Sequence, residues 1–365
     1  MKLLMVTMGL DIGGAETHIV ELARELSRRG YEVMVASNGG SYVAELEKNG
    51  IKHFSVPLHT KTPACVMKSK RLLKKILTDE KPDIVHAHAR IPAFIAGELC
   101  RKMHIPFVTT AHWVFTTKFG LKYITDWGEK TVAVSEDIKK YLMDNYKIPP
   151  EDITVTINGI DTEKFSDSIP YDDIKKEFDL KDGAFRIVHV SRIDESREAA
   201  AFILVGIMPE IKKLIPNAEL VIVGGGDKFE ELKKAADGIG DIHLAGARTD
   251  INKFVSSADL FVGVSRAALE AMAAGKPAVI AGNEGEIGLF TPPKLADAVS
   301  GNFCCRGHEL PTEKNVFAAI KEYYALSDDE KRALSDFCRK TVYERYSVGK
   351  MADDTEKAYR AALGE

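Results

Sequence analysis

Apolar runs of strand length alternate with amphipathic helical runs along the whole chain, the pattern of parallel sheets covered on both faces by helices. Leu3 to Thr7 reads as a strand, Gly13 and Gly14 as a loop, about Glu16 to Arg29 as a helix stopped by Gly30, and Glu32 to Ala36 as the next strand. That is one βαβ unit. Further strands are expected at Ile51 to Val56, Ile84 to Ala87, Phe107 to Ala111, Lys130 to Val134 and Ile153 to Ile157. Asn158, Gly159, Ile160 and Asp161 then break the alternation, and the polar run to Tyr171 reads as a crossing between domains.

A second series follows: strand Ile187 to Ser191, a helix from about Glu198 to Leu214, strand Glu219 to Val223 ending in Gly224, Gly225 and Gly226, and a helix after Asp227. Strand His243 to Ala245, helix Asp250 to Ser256, strand Leu260 to Val264, a short helix and strand Ala278 to Ala281 continue it. The tail from Glu313 to Leu363 reads as helical, with an aromatic interruption at Tyr343 to Tyr346. Ligands of open α/β sheets bind at the carboxyl ends of the strands, so two such sheets in sequence predict a cleft between domains.

Length and charge sharpen this picture. The 365 residues exceed the roughly 250 to 300 at which single cores stop growing, and 45% hydrophobic residues are enough for two cores. A net charge of -4 argues against a dedicated nucleic-acid binder. Cys65, Cys100, Cys304, Cys305 and Cys338 are odd in number and contain no CxxC pair, which indicates neither a disulfide framework nor a zinc site. The cysteine usage fits a reducing cytosol, and the opening MKLLMVTMGLD is too short for a signal sequence or membrane span, so a soluble cytoplasmic protein is expected.

The stretch VGVSRAALEAMAAGKPAVIAG, residues 262 to 282, carries the strongest chemistry. It sets a short helix between two apolar strands: Ser265 as its cap, Gly275 at its left-handed end, Pro277 to stop it. Unpaired amides at such a start favour an anion, and Glu270, one turn in, can accept from sugar hydroxyls. Phosphate plus sugar diol suggests a nucleotide.

Other candidates are weighed against plainer roles. The loop GLDIGGAETH, residues 9 to 18, lets backbone approach a ligand or makes only a tight turn; it lacks GxGxxG spacing. Arg192 and Arg197 could fork onto one diphosphate or pair with Asp194 and Glu195. Their position on the strand-end rim of Ser265 and Glu270 favours the diphosphate. His86, His88 and His112 lie at or just past strand ends, His112 being the best candidate for a substrate contact, while His104 reads as a helix end. Lys61, Lys68, Lys70, Arg71, Lys74 and Lys75, interleaved with apolar residues, form either a solvated helix face or a peripheral contact with an anionic membrane.

These residues resemble a retaining glycosyltransferase of family 4, over nearly the whole chain. GGAETHIVELARELSRRGYEV resembles the family's N-terminal glycine loop and helix, and PDIVHAHAR with VTTAH its histidine-bearing strand ends. INGIDTEKF is similar to its interdomain segment. VSRIDESRE resembles its diphosphate clamp, with Arg197 at the lysine position, and ALEAMAAGKPAVIAG its ribose-binding helix.

The resemblance implies a GT-B fold: domains over residues 1–165 and 166–345, and a helix over 346–365 that crosses back to the first. It implies a UDP- or GDP-type nucleotide-sugar donor, transfer with retention to a glycan, lipid or small-molecule acceptor, and neither metal nor cofactor. The implied catalytic residues are His112, Arg192 and Arg197; the implied donor residues are Gly13, Gly14, Arg192, Arg197, Gly246, Arg248, Ser265, Ala268, Leu269 and Glu270. Val262 stands where the family usually has a first glutamate, eight residues before Glu270, and Glu284 or Glu286 is a candidate substitute. Two rivals remain: a non-hydrolysing nucleotide-sugar epimerase, and a binding subunit that has lost turnover.

Overall fold

The computed structural model describes residues 1–365 apart from 12, 116, 118–121, 123 and 124. Ile12, within the expected glycine loop, therefore lies outside the described residues. The chain forms two compact units, Met1–Gly159 with Val348–Glu365, and Ile160–Ser347.

The first unit holds seven parallel strands: β1 Lys2–Val6, β2 Glu32–Ser37, β3 Lys52–Ser55, β4 Ile84–Ala87, β5 Phe107–Ala111, β6 Lys130–Ala133 and β7 Ile153–Val155. Their order is β3-β2-β1-β4-β5-β6-β7. Leu3, Leu4, Met5 and Val6 are all buried, as a strand covered on both faces must be. Helix Gly14–Arg28 turns Ile19, Leu22, Ala23 and Leu26 to the sheet and ends before Gly30, whose φ is +90°.

Helix Val348–Leu363 closes this unit. Met351, Ala352, Ala358 and Tyr359 recur at helical spacing and join the core of Leu3, Met5 and Ile19. Arg29 ties it at the surface, donating to Asp353 and Glu356 at 2.8 Å each and to the Gly349 carbonyl at 2.9 Å. The expected interruption at Tyr343 to Tyr346 is not there. Those residues belong to helix Asp328–Tyr346, and the break falls at Ser347, whose extended backbone (φ -70°, ψ 155°) cannot continue the helix. Tyr346 is buried against Phe303, whereas Tyr343 is exposed.

The second unit holds β8 Phe185–Val190, β9 Ala218–Val223, β10 Ile242–Gly246, β11 Leu260–Gly263, β12 Ala278–Gly282 and β13 Gly285–Leu289, in the order β10-β9-β8-β11-β12-β13. The first five are parallel. β13 pairs antiparallel with β12 through the two-residue turn Asn283-Glu284 and was not foreseen, since GEIGL shows neither an apolar run nor clean alternation. In both sheets the strand order reverses once, between β1 and β4 and between β8 and β11, which puts a crevice at the carboxyl ends of those pairs.

Candidate functional site

In the second unit the crevice between β8 and β11 is flanked by the loop of Arg192 and Arg197 after β8 and by the helix of Ser265 and Glu270 after β11, while Gly246 and Arg248 lie at the end of β10. Arg192 and Arg197 lie exposed in the loop after β8, Arg197 pairing weakly with Asp194 at 3.9 Å. That loop is held from two sides. A Cβ on Gly224 (φ +147°) would lie 1.7 Å from the Ser191 carbonyl, and one on Gly226 would lie 2.2 Å from that of Ile193, so only glycine lets the turn after β9 approach. Opposite, Asn283 accepts from the Ala199 amide at 2.8 Å and donates to the Glu195 carbonyl at 3.1 Å. The expectations gave these glycines and Asn283 no role; a triple glycine ending a strand was the available signal.

Helix Ser265–Ala273 follows β11, and Gly275 takes its left-handed end at φ +69°. Ser265 is not the cap. Val264 occupies that position, and Ser265 is the first helical residue at φ +55°, with its amide donating to the Phe303 carbonyl at 2.7 Å and no side-chain capping bond. The Ala268 amide is likewise used, at 3.5 Å from the Val264 carbonyl, and both Ala268 and Leu269 are buried, so the helix start is less open than its sequence implies. Asn302, Phe303 and Cys305 beside it also have positive φ, a concentration of backbone strain.

Glu270 is buried and accepts from Arg266 Nε at 2.8 Å. Burial pushes its carboxyl pKa up, opposed by the Arg266 guanidinium and the Lys164 ammonium. Val262 points into the second core with Ile222 and Val279, fully buried, and its carbonyl accepts from His189 Nδ1 at 2.7 Å. A carboxylate there would have to displace core packing. Glu284 pairs with Arg306 at 2.9 Å and Glu286 accepts from Asn315 at 2.5 Å, so each already has a partner.

Gly246 ends β10 at φ +67°, with open space where a Cβ would stand. The half-buried Arg248 side chain is forked onto Glu177 at 2.6 and 3.0 Å and onto Asp250 at 2.9 Å, over the Phe254 ring.

In the first unit, Gly14 opens the helix after β1, and a Cβ on it would meet nothing within 4 Å; one on Gly13 would meet only the Glu16 side chain. Packing does not require glycine at Gly14. His86 is not a substrate residue: fully buried, it bonds Tyr359 through Nδ1 and Thr110 through Nε2, both at 2.7 Å, and burial holds its pKa near 3. His88 and His112 meet at 3.3 Å, and burial with neighbouring imidazoles lowers both pKa values, leaving neutral rings at pH 7. His18, which sequence reasoning passed over inside a helix, stands edge-on to His112 with ring centroids 4.8 Å apart. His104 caps a helix in the left-handed conformation, as its plain role requires.

Helix Pro63–Glu80 carries the basic stretch. It buries Ser69, Leu73, Ile76 and Leu77, pairs Lys70 with Glu98 and Lys75 with Asp79, and leaves Met67 exposed. Among the described residues no helix is long and apolar enough to cross a membrane.

Residues 12–164 match the family described as Glycosyltransferase Family 4, and residues 184–301 the one described as Glycosyl transferases group 1. An uncharacterized glycosyltransferase of Methanocaldococcus jannaschii is 26% identical, with 100% of this chain and 99% of that protein covered. The Escherichia coli UDP-Gal:alpha-D-GlcNAc-diphosphoundecaprenol alpha-1,3-galactosyltransferase is 25% identical over 85% of this chain and 84% of its own. The crystal structure of Anabaena HepE in complex with UDP superposes with a TM-score of 0.69 at 17% identity, covering 99% of this chain and 100% of that one.

Proposed function

From the premise that the chain belongs to glycosyltransferase family 4, we propose that it moves a hexose from a UDP- or GDP-type sugar to a glycan, lipid or small-molecule acceptor, with retention at the anomeric carbon. The observation that carries this is the strand order of the second unit, which sets the Arg192 loop after β8 and the helix of the buried Glu270 after β11 at the carboxyl ends of neighbouring strands. Arg192 and Arg197 neutralise the diphosphate as it leaves, which lets the transfer proceed without a metal ion. Glu270, oriented by Arg266, accepts from the ribose hydroxyls. The nucleotide base packs by Gly246 and the backbone at Arg248, whose side chain braces the loop. In the first unit Gly13 and Gly14 leave room for the donor, and His112 contacts the transferred sugar.

The Escherichia coli relative's lipid-linked acceptor supports testing undecaprenyl-diphosphate sugars first. The exposed Met67 and the lysines around it on helix Pro63–Glu80 suit an enzyme working at the cytoplasmic face of a membrane that presents such a lipid.

The test is a calorimetric screen of UDP, GDP and their sugars, then release of nucleotide with candidate acceptors, with the product anomer read by NMR. One donor should bind and yield product only with acceptor present. A changed sugar from donor alone would make the protein an epimerase, binding without transfer a supporting subunit, and no nucleotide binding would refute the proposal.

A further inference from the structure

Three histidines from separate parts of the chain meet at the switch point of the first sheet. His18 comes from helix Gly14–Arg28, His88 from just after β4, and His112 from just after β5. One ring nitrogen of each lies within 4.8 Å of one from each of the others. We propose that His18, His88 and His112 bind one transition-metal dication of the zinc, cobalt or nickel class, with a fourth position left for water or a substrate oxygen.

The geometry fits such an ion. His88 Nδ1 and His112 Nε2 are 3.3 Å apart. Two nitrogens each about 2.0–2.1 Å from one tetrahedral ion stand about 3.3 Å from each other. The same separation is at the long end for a hydrogen bond. Asn158 Oδ1 lies 3.0 Å from His18 Nδ1 and accepts its proton, which makes Nε2 the atom His18 offers and fixes the ring as partners of metal-bound histidines do.

His88 is 3% exposed, so bulk water has little access to this ligand. Its ring also packs on His86, with centroids 4.0 Å apart, and His86 is pinned on both nitrogens, so the ligand set is built on a rigid base. Short-range spacing could not reveal the site, because residues 18, 88 and 112 converge only through the order β1-β4-β5.

One consequence rests on the proposed transfer chemistry. An ion that takes the Nε2 of His112 removes it from the sugar, so excess zinc should slow transfer and a chelator should restore it.

The test uses chelator-stripped full-length protein, titrated with cobalt by visible absorption and with zinc against a chromophoric competitor. One equivalent should bind, and His18→Gln, His88→Gln and His112→Gln should each weaken binding by about tenfold or more. His104→Gln, on an exposed helix end, should not. Circular dichroism checks that each variant folds. If one does not, X-ray absorption on the cobalt-loaded wild type replaces it and should show three imidazole nitrogens.

No stoichiometric binding, equal binding by all variants, or fewer than three imidazoles on the ion would overturn the proposal. The two proposals fail separately. Binding without any effect of zinc on turnover keeps the metal site and removes His112 from the sugar, whereas transfer by a protein that binds no metal removes the site alone.

Discussion

His86 Nδ1 and the Tyr359 hydroxyl meet at 2.7 Å in the interior of the first unit, although 273 residues separate them in sequence. The Tyr359 ring stands edge-on to the imidazole at 5.4 Å, and both side chains are fully buried. The last helix is thereby fastened to β4 by a polar contact as well as by its apolar face.

Tyr359→Phe keeps the ring and removes the hydroxyl, leaving His86 Nδ1 buried without its partner. The cost of such an orphaned group is about 1–3 kcal/mol. Urea unfolding should show that loss; an unchanged midpoint would mean the bond contributes nothing.

Ser265→Gly should raise stability. A left-handed non-glycine residue carries about 1–2 kcal/mol of strain, against about 0.5–1 kcal/mol for the extra freedom of glycine in the unfolded chain, so a gain of about 0.5–1 kcal/mol is expected. Differential scanning calorimetry reads it as a higher melting temperature. A lower one would show that the serine hydroxyl makes a compensating contact.

Gly224→Ala should disturb the Arg192 loop, because its Cβ would fall 1.7 Å from the Ser191 carbonyl. Nucleotide affinity should drop while the first unit keeps its core. Arg192→Ala and Arg197→Ala should each lower kcat/KM by on the order of 100-fold, the usual loss for one contact to developing charge. Arg192→Lys should recover only part of this, since lysine lacks the planar fork. Steady-state kinetics with an identified donor decides both cases.

Burial pushes His189 down to about 4, well below an ordinary histidine, while its hydrogen bond to the Val262 carbonyl pulls the other way. The folded ring stays neutral where the unfolded chain takes up a proton. Stability from this site is therefore complete above about pH 6.5 and falls as pH drops toward 4, by up to about 1.4 kcal/mol per pH unit. His189→Asn can keep a donor near the Val262 carbonyl but cannot titrate. Its unfolding free energy should fall less steeply than wild type between pH 6.5 and 4.5, and equal slopes would reject the assignment.

Strands covered on both faces were legible because burial demands continuous apolar runs such as AELVIV in β9, and helix ends because glycine supplies the left-handed turn at Gly30 and Gly275. β13 escaped because it forms through a hairpin at a sheet edge, where Gly285 (φ +144°) must pass the Cys305 carbonyl and little apolar surface is needed. In the candidate site, residue types that suit a ligand were singled out from the sequence, whereas side chains that brace them were not. Glu270 stood out in its own helix, while its partner Arg266 and the loop clamp Asn283 did not. His18 was hidden by its helical context, and His86 looked accessible until Thr110 and Tyr359 closed over it.

The division of the first unit into Met1–Gly159 and Val348–Glu365 bears on the order of biosynthesis. On the ribosome, seven strands emerge early but wait for a helix made some 190 residues later, counting from Gly159 to Val348. The inserted unit, Ile160–Ser347, is contiguous and can complete its fold first. Until the last helix arrives, Leu3, Met5 and Ile19 lack part of their cover, which makes this interval the one in which a chaperone would matter most.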